Sequence, residues 1–160
     1  MKTHKHDKPL VISGVFLGIG LGGFVDGILF HQILQIHSMA SAMHTPNTVA
    51  NLELNMVWDG LFHVITWTMT VTGIMLLWSA IKAGQVHLAE KTLFGASVLG
   101  WGLFNLVEGI IDHHILHVHH VVERLGVSLY DYLFLGSGVI MIVLGMLIIR
   151  ASRQNYAIQR

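Results

Sequence analysis

The run LVISGVFLGIGLGGFVDGILFH, Leu10 to His31, holds no lysine or arginine and a single acid, Asp26. Crossing a bilayer core of roughly 30 Å takes about 20 mostly apolar residues in an α-helix. The stretch therefore predicts a membrane span, Leu10 to Phe30, with a carboxylate near its C-terminal end. Three more runs qualify: Met56 to Trp78, Thr92 to Leu116 and Val127 to Ile149. The composition agrees, since 53% hydrophobic and 11% charged residues in a chain of 160 lie outside the usual range of soluble domains. The expected fold is a single-domain, all-α integral membrane protein with four transmembrane helices.

Charge orients these spans. Lys2, Lys5 and Lys8 precede the first, Lys82 and Lys91 lie between the second and third, and Arg150, Arg153 and Arg160 follow the fourth. Four spans bring all three groups to one side, which the positive-inside rule makes cytoplasmic, with only Arg124 opposite. N-in/C-in is the expected topology. A secretory signal is the competing reading of the first span, with Ala40-Ser41-Ala42 as a small-residue cleavage site. The stretch is long for that purpose and contains Asp26. The sequence has no cysteine, which excludes disulfides and thiolate metal ligands. Basic residues are few and scattered, so nucleic acid is excluded as a partner, and the lipid bilayer is the expected environment.

Sliding the chain on itself by 82 positions lays Gly18-Ile19-Gly20-Leu21 on Gly100-Trp101-Gly102-Leu103 and Val25-Asp26-Gly27-Ile28 on Val107-Glu108-Gly109-Ile110. His31 falls on His113 and His37 on His119. An offset of 72 lays Asp59 on Asp131 and Leu61-Phe62 on Leu133-Phe134. The expected unit is a helical hairpin present twice in tandem, at about 10–80 and 92–150, with the copies related by a pseudo-two-fold axis along the membrane normal. Gly14, Gly18 and Gly22 form a small-residue row. Such a row serves close helix packing within the chain or a homodimer. The connection from 38 to 55 reads as a loop, and that from 117 to 126 is short and histidine-rich.

At a rise of 1.5 Å per residue, Asp26 lies about 24 Å above Leu10 and Glu108 about 24 Å above Thr92. From the other direction, Asp59 lies about 4.5 Å below Met56 and Asp131 about 6 Å below Val127. Four carboxylates on four helices thus share one level near the outer surface. His31 and His113 sit just above two of them, and His63 follows Asp59 by one turn on the same face. His37, His114, His117 and His119 come beyond or near the helix ends, with Asp112 among them. On that side Asp26, Glu53, Asp59, Glu108, Asp112, Glu123 and Asp131 face only Arg124.

Partly buried carboxylates must be paired, protonated or metal-bound. Facing Asp/Glu and His side chains on a four-helix scaffold are how carboxylate dinuclear centres are built. The candidate metal ligands are Asp26, His31, His37, Asp59, His63, Glu108, Asp112, His113, His114, His117, His119 and Asp131. The implied cofactor is a pair of transition-metal ions. Imidazole with carboxylate suits copper, iron and zinc, and Met39, Met43 and His44 add softer groups that favour copper. His44 and His120 taken singly read as solvated loop residues, and His4, His6 and His87 as uninvolved.

At Gly23-Phe24-Val25-Asp26-Gly27-Ile28-Leu29-Phe30-His31-Gln32-Ile33-Leu34-Gln35-Ile36-His37, at Glu108-Gly109-Ile110-Ile111-Asp112-His113-His114-Ile115-Leu116, and at Trp58-Asp59-Gly60-Leu61-Phe62-His63, the chain resembles the bacterial family known as domain of unknown function 2243. The resemblance covers nearly the whole chain. It implies a four-span protein of the bacterial inner membrane and carries no established activity. The functional expectation is therefore a membrane metalloprotein with a redox-active, dinuclear His/carboxylate site facing the periplasmic or extracellular side. As an enzyme it would be a metal-dependent oxidoreductase, with metal-dependent hydrolysis as the variant. Two other readings compete: a haem-binding electron carrier with His31 and His113 as axial ligands, and a copper or zinc handling protein that serves a respiratory oxidase through Met39, Met43 and His44.

Overall fold

A computed structural model describes residues 7–86 and 89–158, with side chains through residue 154. Lys2, His4, Lys5, His6, His87 and Arg160 lie outside the described residues. Every regular element among the described residues is helical. Helix α1, Lys8–Val25, runs directly into a π-helical segment, Asp26–Ile33. Helix α2 is Val49–Lys82, and α3, Glu90–Glu108, again runs into a π-helical segment, Gly109–Ile115. A short 3₁₀ turn at Glu123–Leu125 precedes α4, Leu129–Ile158. The segments Lys8–Ile33, Val49–Lys82, Glu90–Ile115 and Leu129–Gln154 are each long and apolar enough to cross a membrane.

Local chemistry sets several boundaries. Pro9 stands in the first turn of α1, where its missing N–H is no loss. The Thr48 hydroxyl accepts from the Asn51 amide at 3.2 Å and starts α2 there. Residues 49–55, expected in the loop, are therefore helical. His114, expected beyond a helix end, lies inside the second π-helical segment.

The two inner helices, α1 and α3, run parallel: Gly14 faces Ala96, and Gly22 faces the Trp101 ring. Helix α2 packs antiparallel on α1, with Gly73 against Leu17 and Gly27 against His63. Helix α4 does the same on α3, with Gly95 against Ile148 and Gly109 against Leu135. A Cβ on Gly14 would stand 2.5 Å from that of Ala96, so the glycine row is used to bring α1 and α3 together within the chain. Without a hydrophobic drive between helices in lipid, such close backbone approach supplies the attraction.

Only 17% of the most apolar window is buried in α2 and in α4, against 44% in α1 and 39% in α3. The outer helices present Trp67, Ile74, Trp78, Ile140 and Leu147 outward, as contact with lipid requires. Some polar groups inside the bundle pair between helices, as in Asn105 Nδ2 donating to Ser137 Oγ at 3.0 Å and Thr92 Oγ1 to Ser152 Oγ at 2.9 Å. Arg153 meets Asp7 at 3.4 Å where α4 ends and α1 begins. The carboxylates Asp26, Asp59, Glu108 and Asp131 gather at the opposite end.

Candidate metal centre

Asp26 and His31 are five residues apart, as are Glu108 and His113. In an α-helix, at 3.6 residues per turn, such a pair is turned about 140° apart and points to different faces. The i→i+5 bonding of a π-helix instead stacks them. Leu34 N donates to Leu29 O, and Leu116 N to Ile111 O, both at 2.8 Å. These wide turns place His31 Nε2 at 3.2 Å from Asp26 Oδ2 and His113 Nε2 at 3.0 Å from Glu108 Oε1.

Each ring is held from behind by the neighbouring outer helix. His31 Nδ1 donates to Asp59 Oδ1 at 2.9 Å, and His113 Nδ1 stands 3.1 Å from Asp131 Oδ1. Those two carboxylates are themselves fixed by amides. Asp59 accepts from Met39 N at 2.8 Å and Gln32 Nε2 at 3.3 Å, and Asp131 from Val121 N at 3.1 Å and Ser128 N at 2.8 Å.

His37 and His119 complete the cluster from the loops. Their rings stack at 4.8 Å and 11°, and each meets its own hairpin's histidine edge-on, His31–His37 at 4.6 Å and His113–His119 at 4.8 Å. Their anchors are exchanged between the loops. His37 Nδ1 donates to Val121 O at 3.0 Å, and His119 Nδ1 to Met39 O at 3.1 Å. Met39 and Val121 thus each bind an aspartate of one hairpin through N–H and a histidine of the other connection through C=O.

Three of the four imidazoles, those of His31, His37 and His119, are therefore held at Nδ1 by a hydrogen bond, whereas His113 Nδ1 lies 3.1 Å from Asp131 Oδ1 without one. The atoms His31 Nε2, His37 Nε2, His113 Nε2, Asp26 Oδ2 and Glu108 Oε2 are buried without hydrogen-bond partners among the described residues. His119 Nε2 meets Glu108 Oε1 at 2.7 Å. Two sets of atoms lie close enough together to hold a metal ion: His31 with His37 and His119, and Glu108 with His113 and His119. Among the described residues, the charged or chargeable partners of all four carboxylates are histidines alone.

In the loops, burial pulls the His37 pKa down to about 3, with His119 and His31 adding to the shift. Burial acts the same way on His119, but the contact with the Glu108 carboxylate outweighs it and raises that pKa. His120 is lowered, chiefly by burial.

A family model described as a predicted membrane protein, DUF2243, matches residues 13–152. The chain belongs to this DUF2243 family. No curated protein and no solved structure matches it. The match to DUF2243 takes in most of each of the four long helices and every residue of the cluster.

Of the expected ligands, the structure brings together Asp26, His31, His37, Asp59, Glu108, His113, His119 and Asp131, each buried. Four others stand apart. His63 donates from Nδ1 to the Asp59 main-chain oxygen at 2.7 Å and lies against Phe24 and Phe62. The one-turn spacing is thus met through the backbone, while the Asp59 side chain turns to His31. His114 likewise donates to Gly109 O at 2.8 Å and faces Tyr132. Asp112 is half-buried and His117 exposed on the loop.

In the softer group, Met43 is exposed, and Met39 serves through its main chain. Sequence reasoning missed the π-helical turns, whose signal is the repeated spacing of five between carboxylate and histidine. It also missed Asn55, which accepts from Ala40 N at 3.2 Å and donates to His44 O at 2.7 Å, and the buried His120, whose Nδ1 is 3.6 Å from Asp131 Oδ1.

Proposed function

We propose that this DUF2243 protein is a redox-active membrane metalloprotein with a dinuclear centre, one ion held chiefly by Asp26, His31 and His37 and the other by Glu108, His113 and His119. The observation that carries the proposal is the gathering of four buried imidazoles, three of them hydrogen-bonded at Nδ1, with Asp26 and Glu108, whose Oδ2 and Oε2 are buried without partners. Three protein ligands per ion leave coordination positions open, as chemistry at a metal requires. Four carboxylates, two binding and two bracing the rings of His31 and His113, balance two divalent ions in charge. The ions would supply electron transfer or activation of a bound small molecule such as dioxygen. The chain supplies the fixed rings and a dry surrounding.

Copper, iron and zinc fit this donor set, the first two as redox centres. The basic segments support, through the positive-inside rule, a centre on the outer side of a bacterial inner membrane with both termini inside, and the matched positions support a duplicated hairpin. The stacked rings of His37 and His119 each lie within 6.5 Å of both His31 and His113, where a porphyrin ligated by those two would have to sit, which weighs against haem. The exposed position of Met43 leaves the group of Met39, Met43 and His44 without converging ligands, which weighs against a metal-handling role through that group.

The test is elemental mass spectrometry on detergent-purified protein that has never met a nickel column, with an absorption spectrum of the same sample. About two ions per chain, lost in Asp26→Ala and Glu108→Ala, are expected for a centre of this kind. One iron with a Soret band would turn the reading to haem. Lack of uptake, or full retention by both variants, would make the cluster a proton-sharing network.

A further inference from the structure

Two of the differences between the connections above the centre concern histidine. Where one has Gln35 and Ser38, the other has His117 and His120. Gln35 and His117 share a left-handed backbone, φ 50° in each, so the loops turn alike and differ in what they display. His117 is exposed, whereas His120 is only 7% exposed, and its buried Nδ1 has no hydrogen-bond partner. Their ring centroids are 5.6 Å apart, a spacing from which two imidazoles can close on one ion. The His120 ring is in turn 6.4 Å from that of His113.

A line of imidazoles therefore runs from the surface to the centre on one connection only. Glu123 adds negative charge beside it, since its Oε2 accepts from His120 N at 3.2 Å and from Ser41 Oγ at 2.8 Å. Elsewhere the loops are laced together. Ala42 N donates to Val118 O at 3.0 Å and Glu123 N to Ile36 O at 3.3 Å.

Resting on the metal-centre reading above, we propose that His117 and His120 form a separate acquisition site for a divalent transition-metal ion, which passes from them by ligand exchange to His113 and the centre. The site takes a bare or weakly chelated ion of the zinc or copper class, for which imidazole is a suitable donor. No bond other than metal–ligand bonds is made or broken in the transfer, and no electron moves.

The test is stopped-flow zinc uptake by the metal-depleted full-length protein in detergent, followed with a competing fluorescent chelator. In His117→Gln/His120→Ser, which borrows the residues the other loop already accommodates, uptake should slow about tenfold or more, as loss of a local ion-concentrating site predicts. The final ion content per chain should stay that of the unaltered protein. His117→Gln alone, at an exposed position, should also slow uptake. Unchanged rates in both variants would overturn the proposal, as would a lower final ion content, which would make His120 a ligand of the centre. Failure of the unaltered protein to bind zinc at all would overturn the metal-centre reading together with this one.

Discussion

Asp59 joins the two halves of the centre, and its substitution tests the whole arrangement. Its Oδ1 accepts from both His31 Nδ1 at 2.9 Å and Met39 N at 2.8 Å. Met39 passes the constraint on, because its carbonyl accepts from His119 Nδ1 at 3.1 Å. In Asp59→Asn the amide oxygen can keep both of these hydrogen bonds, so what is lost is the charge and the bond that the other carboxylate oxygen accepts from Gln32 at 3.3 Å. Carboxylates that brace a ligating imidazole are worth about 10–100-fold in metal affinity, or about 1.4–2.7 kcal/mol, and the weakening should fall on the ion that His31 binds.

Asp59→Ala removes the acceptor as well. It leaves a buried imidazole N–H and a main-chain N–H without partners, at about 1–3 kcal/mol each, and frees Met39 from its aspartate. Both ions should then be weakened, the second through His119. The assay is zinc titration against chelators of graded affinity, with circular dichroism to confirm the helices. Equal affinities within twofold for Asp59→Asn and the unaltered protein would refute the bracing role. An Asp59→Ala variant that loses one ion and keeps the other at full affinity would refute the link through Met39.

At pH 6 the raised pKa of His119 keeps a proton on it that zinc must displace, whereas His37, held near 3, has none to lose. Proton release on zinc addition in weak buffer should fall by about one per chain in His119→Gln and stay unchanged in His37→Gln. In the metal-free protein the two act in opposite senses on stability. The His119 contribution is complete below its unfolded pKa and is lost as pH rises through the raised folded value. His37 instead weakens the fold as pH drops from 6.5 toward 3, so its replacement by Gln should flatten the acid limb of a thermal-unfolding series. Gly18→Leu places a side chain on the Ser97 backbone of α3 and should destabilise the bundle by about 1–3 kcal/mol, read in detergent unfolding. Met43→Leu with His44→Ala should leave ion content unchanged, and its loss by mass spectrometry would revive the metal-handling reading.

The four spans were legible because lipid imposes a length and an apolarity that few other constraints imitate. Depth was legible too, since rise per residue converts position to height, and it grouped Asp26, Asp59, Glu108 and Asp131 before any contact was known. Direction around the helix was not. His63 lies one turn from Asp59 and looks like its partner on an α-helical wheel, yet its hydrogen bond goes to the main chain. Asp26 and His31 look mismatched on the same wheel and are brought together by a π-helical turn. The helical periodicity that identified the spans thus misplaces the residues where it is broken. The loops hid their contribution for another reason, because Met39 and Val121 act through a main-chain N–H and C=O that every residue but proline carries.

The same contacts bear on whether protons or ions balance the buried charge. If each imidazole were simply paired with a carboxylate, donor and acceptor would align at both ring nitrogens. In the Asp26, His31 and Asp59 set they align on one side only: His31 Nδ1 is hydrogen-bonded to Asp59, whereas Nε2 stands 3.2 Å from Asp26 Oδ2 with neither atom in a hydrogen bond. Two lone-pair atoms about 3 Å apart with no hydrogen bond between them are at a separation that two ligands of one ion can have. On the other side Glu108 Oε1 does meet His119 at 2.7 Å, while Oε2 remains buried and unpartnered. A proton can hold that one contact, which matches the raised His119 pKa. It does not account for the partnerless atoms of Asp26, His31, His37 and His113. Divalent ions would satisfy these atoms and neutralise the carboxylates together, and the proposed metal reading rests on that double requirement.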